Sequence, residues 1–127
     1  LKIINVGIVG ARKRNTPADK QIIKDILIHR LDQGDTIHLV SGGCTRGADR
    51  FAEELATELQ LGISIYYPDK SKLPPNYKTY HYAQICYERN SLIACNCDIL
   101  IALPGDSGGS WDSIRKVEKL GKPVIIK

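Results

Sequence analysis

Three short stretches gather residue types that can grip an anion: Gly10-Ala11-Arg12, Ser41-Gly42-Gly43-Cys44-Thr45-Arg46-Gly47-Ala48-Asp49, and Pro104-Gly105-Asp106-Ser107-Gly108-Gly109-Ser110. Each follows an apolar, strand-like run. Glycines there let backbone N–H groups approach a charged oxygen, and the N-terminus of a following helix favours negative charge. Arg12 and Arg46 add guanidinium groups suited to bidentate contact with phosphate. The second stretch has the glycine spacing of a Walker A loop, but Ala48 and Asp49 occupy the positions of its Lys and Ser/Thr. It lacks the groups that manage a magnesium-bound triphosphate. The expected ligand is a smaller, nucleotide-like anion, with neither metal nor separate cofactor. A standard dinucleotide site fits poorly, because Gly7-x-x-Gly10 is not G-x-G-x-x-G and the second strand ends in Ser41 rather than an acid.

Other polar residues divide by context. Asp49 suits either a ribose hydroxyl or the dipole at a helix start. Glu53, Glu54 and Glu58 read as the wet face of the same helix. Tyr77, Tyr80, Tyr82 and Tyr87, with His81, follow a Pro-Pro loop; they can stack on a base, form a dimer surface or pack over the sheet edge. His29 and His38 have no Ser or Cys partner in the pattern and read as structural. Cys44, Cys86, Cys95 and Cys97 lack the spacing of a zinc site and read as reduced, largely buried thiols.

These residues need elements to position them, and the pattern alternates strand and helix throughout. Strands are expected at Ile3–Val9, Thr36–Val40, Ile63–Tyr67, Asp98–Leu103 and in the terminal "PVIIK". The first helix opens on Thr16 as N-cap, Pro17 at N1 and Asp19 at N3. It continues through Ile22, Ile23, Ile26, Leu27 and Leu31 until Gly34. A second helix presents Phe51, Ala52, Leu55, Ala56 and Leu59. A third runs from about Lys78 to Asn96, and Trp111, Ile114, Val117 and Leu120 mark a fourth. The expectation is an α/β, Rossmann-like, doubly wound and mainly parallel sheet of about five strands with helices on both faces, residues 1–127 forming one domain. Ligands of such sheets sit at the carboxyl ends of the strands, where all three glycine stretches project.

Net charge is +4, which favours anionic ligands but falls short of a dedicated nucleic-acid binder. No apolar run approaches a membrane span, no signal peptide pattern opens the sequence, and a cytoplasmic location is expected. The leucine at position 1 suggests a trimmed or engineered start.

Taken in order, the Gly-x-Arg after strand one, "SGG…RGADRFAEELA", "ERNSLIACNCDILIAL" and "SGGSWDSIRKVEKLGKPV" resemble the SLOG superfamily, most closely its YspA-like (YpsA-related) branch. The resemblance spans nearly the whole chain. It implies a Rossmann-like fold, often a homodimer, with a nucleotide-derived ligand above the sheet. It also implies binding roles for Gly10, Arg12, Ser41, Gly42, Gly43, Gly47, Asp49, Arg89, Asn90, Gly109 and Ser110. More distantly, the chain resembles the Lonely Guy phosphoribohydrolases and DNA-processing protein A. The first likeness offers Arg89 and Asp112 as a catalytic pair for N-glycosidic cleavage of a nucleoside 5′-monophosphate. Those hydrolases carry P-G-G-x-G-T-x-x-E, and aligning Gly109-Ser110 with their G-T puts Ser113 where the glutamate belongs. Asp112 then lies one helical step, about 100°, away, which makes binding without hydrolysis the leading expectation. The second likeness offers single-stranded DNA binding, which the modest charge disfavours.

Overall fold

The computed structural model describes residues 2–106 and 108–127; Ser107 of the third glycine stretch lies outside them. Strand β1 (Ile3–Gly10) leads to helix α1 (Pro17–Asp32), followed by β2 (Thr36–Ser41), α2 (Ala48–Glu58) and β3 (Gly62–Ile65). After a short 3-10 turn (Lys70–Lys72) come α3 (Thr79–Asn96), β4 (Ile99–Leu103), α4 (Gly108–Lys119) and β5 (Val124–Ile126). All pairings are parallel, in the order β3-β2-β1-β4-β5. The chain builds outward from β1 in one direction and then returns to its other side with β4. The switch therefore falls between the carboxyl ends of β1 and β4, the expected place for a ligand. This is the Rossmann-like α/β sheet expected from the alternating pattern.

Helices α1 and α2 cover one face, burying Ile23, Leu27, Phe51 and Leu55 against Ile8, Leu39, Ile101 and Leu103. Helices α3 and α4 cover the other, where Ile93, Ala94, Ile114 and Val117 meet Val9, Val40, Leu100 and Ala102. Buried on both sides, β4 has no solvent face, which explains its unbroken apolar run. The start of α1 follows from its cap: Asp19 N–H donates to Thr16 Oγ1 (3.2 Å), and Thr16 N–H returns to Asp19 Oδ2 (3.2 Å).

Three elements differ from expectation. Strand β3 ends at Ile65 rather than Tyr67, because its partner β2 ends at Ser41; Tyr66 N–H still reaches Ser41 O (2.9 Å), but Tyr67 turns out to solvent. The fourth helix buries Ser110 and Ser113 along with Ile114 and Val117. Trp111 lies outside, its indole N–H donating to Gly105 O (3.0 Å), and Leu120 falls beyond the helix end and is exposed. Finally, Tyr77, Tyr80 and Tyr87 are exposed rather than packed over the sheet edge.

Candidate functional site

An open cleft of about 700 Å³ lies at the switch point. Its floor is the end of β1 with Val9 and Gly10, and one side is the loop after it, with Arg12 and Lys13. Gly42, Cys44 and Asp49 come from the end of β2 and the start of α2. Helix α3 supplies a wall of Tyr82, Ala83, Cys86, Tyr87, Arg89, Asn90 and Ile93, and α4 contributes Gly109, Ser110 and Ser113. The volume lies within the range of small-molecule and cofactor pockets.

Arg89 is the best-defined cation of the cleft. The half-buried guanidinium donates Nε–H to Asn90 Oδ1 (3.1 Å) and Nη1–H to the carbonyls of Tyr66 (3.3 Å) and Gly42. Among the described residues no carboxylate forms an ion pair with it. Glu88, its neighbour in sequence, turns away to Lys72 (3.1 Å). The nearest acid of the cleft is Asp49. Burial pushes the Asp49 carboxyl above its ordinary value, and the Cys44 N–H and the Arg89 charge only partly offset this. Gly42 explains itself in this setting: a β-carbon there would come 2.6 Å from Arg89 Nη1 and 3.1 Å from Asp49 Oδ2.

Asn90 is buried and fully engaged. Its amide donates to Gly109 O (3.3 Å) and Asp112 Oδ2 (3.1 Å) while its carbonyl accepts from Arg89. It ties α3 to the first turn of α4 and fixes Arg89 by the same group. Asp112 does not line the cleft. Its carboxylate receives Lys116 Nζ (2.8 Å) and the Asn90 amide, while Ser113 faces the cleft one position along.

The glycines sort by what a side chain would meet. At Gly10 a β-carbon would come 2.8 Å from Ala48 Cβ, and at Gly105 2.7 Å from Ala11 Cβ, so both serve close packing. Gly43 and Gly47 sit at φ of 74° and 69°, which glycine adopts freely. Two N–H groups expected to meet an anion are taken by the protein itself: Cys44 N–H donates to Asp49 Oδ2 (3.0 Å) and Gly47 N–H to Asn15 Oδ1 (2.8 Å). Gly109 is different. A β-carbon there meets nothing within 4 Å, and the residue lies in the cleft at the start of α4.

The cleft thus brings together Gly10, Arg12, Gly42, Asp49, Arg89, Asn90, Gly109 and Ser110. Ser41, Gly43, Arg46, Gly47, Pro104, Gly105, Gly108 and Asp112 are not part of its lining. Sequence reasoning gives Lys13 and Cys86 no part in a site, and leaves Tyr82 and Tyr87 open between base stacking, a dimer surface and packing. All four line the cleft, as does Cys44 of the second glycine stretch. Cys86, Arg89 and Asn90 share a face at i, i+3 and i+4 on α3, a spacing that could have joined them. His38, read as structural and without a Ser partner in the pattern, does have one: its Nε2 lies 2.8 Å from Ser64 Oγ on the neighbouring strand, a contact that no sequence spacing reveals.

No family model matches the chain, and no curated protein matches its sequence. Solved structures do share its fold. The molybdenum cofactor binding protein from the phototrophic bacterium Rippkaea orientalis superposes with a TM-score of 0.71 at 21% identity, over 99% of this chain and 77% of that one. The molybdenum cofactor carrier protein of Chlamydomonas reinhardtii gives 0.68 at 19% identity, over 97% and 76%. The X-ray structure of TM1055 gives 0.60 at 18%, over 95% and 72%. At these identities the likeness is one of fold.

Proposed function

We propose that the cleft binds a small phosphorylated heterocyclic molecule, a nucleotide or nucleotide-derived compound, and holds it without cleaving it. The observation that carries this reading is Arg89, a half-buried cation fastened by carbonyls, without an ion-pair partner among the described residues, opposite a helix N-terminus. Such a pair suits a phosphoryl group, for which charge-assisted hydrogen bonds are the strong contacts. The wall of Tyr82, Ala83, Cys86 and Ile93 offers an apolar surface for a flat ring. The SLOG resemblance points the same way. Two structures of this fold belong to proteins named for binding or carrying the molybdenum cofactor, which supports a use of the fold in holding a ligand.

Hydrolysis loses its best candidate in this reading. A general acid must reach the bond it protonates, and the Asp112 carboxylate is engaged by Lys116 and Asn90 outside the cleft lining. Binding is tested by calorimetry against nucleoside mono-, di- and cyclic phosphates and a phosphorylated pterin, using the wild type and Gly109→Leu. A β-carbon at residue 109 meets nothing within 4 Å, and a leucine side chain there is expected to obstruct the anion end of the cleft. At least one compound is expected to bind at one site per chain, recovered intact, with affinity at least tenfold weaker (about 1.4 kcal/mol) in the variant. A flat response across the panel overturns the reading. Release of free base restores the hydrolase alternative.

A further inference from the structure

The cations of the cleft come from two separate parts of the chain. Arg89 sits on the β2–α3 side, held by Gly42 and Tyr66. Arg12 and Lys13 line the cleft from a different element, exposed, in the loop after β1. Of the run Arg12-Lys13-Arg14, Arg14 is neutralised by Asp19 at 3.1 Å. Among the described residues neither Arg12 nor Lys13 has an ion-pair partner.

The loop before α2 extends this positive edge. Gly47 N–H donates to Asn15 Oδ1 (2.8 Å), which belongs to the loop carrying Arg12 and Lys13. A β-carbon at Gly47 would come 2.8 Å from Ala11 O and 3.4 Å from Arg12 Cα, so the two loops are in contact. Arg46, adjacent to Gly47, is exposed and likewise forms no ion pair among the described residues. Arg50, in the first turn of α2, buries its Nε without a hydrogen-bond acceptor. Arg46 and Arg50 stand at the positive end of α2, where the helix dipole opposes a cation. Asp49, the one acid in that turn, is directed to Cys44 N–H and the Arg89 side, and the other acid of the cleft, Asp106, lies on the β4–α4 loop. Cations gathered at the unfavourable end of a helix, with no carboxylate ion-paired to them among the described residues, make a place where an added anion lowers the energy of all of them.

Resting on the reading of the cleft given above, we propose a second anion subsite at Arg12, Lys13 and Arg46, so that the preferred ligand carries two separated anionic groups. One occupies the Arg89–α4 end and the other bridges the two loops. The ligand class is a nucleoside bisphosphate or a dinucleotide rather than a nucleoside monophosphate.

The test is calorimetry with adenosine 5′-monophosphate, adenosine 3′,5′-bisphosphate and a cyclic dinucleotide against the wild type, Arg12→Ala, Arg46→Ala and, as control, Lys119→Ala at the far end of α4. At least one two-anion ligand is expected to bind tenfold or more tightly than the monophosphate. Arg12→Ala and Arg46→Ala should each cut that ratio at least threefold, and Lys119→Ala should leave it unchanged. Equal affinity for one-anion and two-anion ligands, or a ratio untouched by Arg46→Ala, overturns the subsite and leaves the cleft reading standing. Absence of binding by all three compounds overturns the subsite, while the cleft reading falls only if the wider calorimetric panel is flat as well.

Discussion

Arg89 and Asp49 show how a buried edge of the cleft sets charge. The arginine gains three protein acceptors, all neutral, so its hydrogen bonds leave its charge unneutralised, and the nearby Asp49 couples to it without forming an ion pair. The aspartate is held where burial makes its charge costly. A carboxyl that titrates higher in the folded chain binds its proton to higher pH than the unfolded chain does. Folding therefore loses stability as pH rises from about 3.8, the ordinary value, through the raised one. Asp49→Asn keeps an acceptor for Cys44 N–H and removes the ionisation. Its melting temperature should exceed that of the wild type at pH 7, and the gap should close as pH falls below 3.8. A variant no more stable than wild type at pH 7 would contradict this account. The residue types of the site were legible in the sequence, but their jobs were not. Whether Gly10 serves an anion or the Ala48 side chain depends on a contact 38 positions away, and no local spacing encodes that.

At the scale of elements, sequence and structure agree where the physics is local. The cap of α1 is written in four consecutive residues, and removing it has a local cost. Thr16→Ala should destabilise the fold by about 1 kcal/mol, read from chemical denaturation with an unchanged slope. A loss near zero would show that Pro17 and the packing of Ile23 and Leu27 hold the helix start without the Thr16 side chain. Agreement fails where tertiary partners decide. The end of β3 is set by the end of β2, and the buried face of α4 includes two serines because it borders the cleft. Helix α3 shows the most demanding case. One face packs Ile85 and Ala94 into the core, another lines the cleft, with Ile93 at the border of the two, and Tyr80 and Leu92 remain exposed. Three faces leave no clean amphipathic signal, so the pattern revealed a helix without revealing what each side meets.

The whole molecule turns on one topological event, the return of the chain to the far side of β1. It opens a crevice between β1 and β4 and brings loops distant in sequence to one rim. Alternating strands and helices were enough to anticipate that crevice, because parallel strands need helical crossovers and their carboxyl ends must share an edge. The contribution of α3 was hidden: residues 82–93 reach the cleft only because the crossover from β3 to β4 lays this helix across the second face.

The central claim is that a phosphorylated small molecule occupies this crevice, and amide chemical-shift mapping tests it most directly. The titrated compounds are the nucleoside phosphates of the calorimetric panel, added to isotopically labelled protein. Binding is expected to shift the amides of Gly42, Arg89, Asn90, Gly109 and Ser110 together, while His38, Ser64 and Asn96, around the smaller cavity on the α3 side of the sheet, stay in place. Shifts centred on His38 and Ser64, or none at saturating concentrations of any compound, would contradict the account.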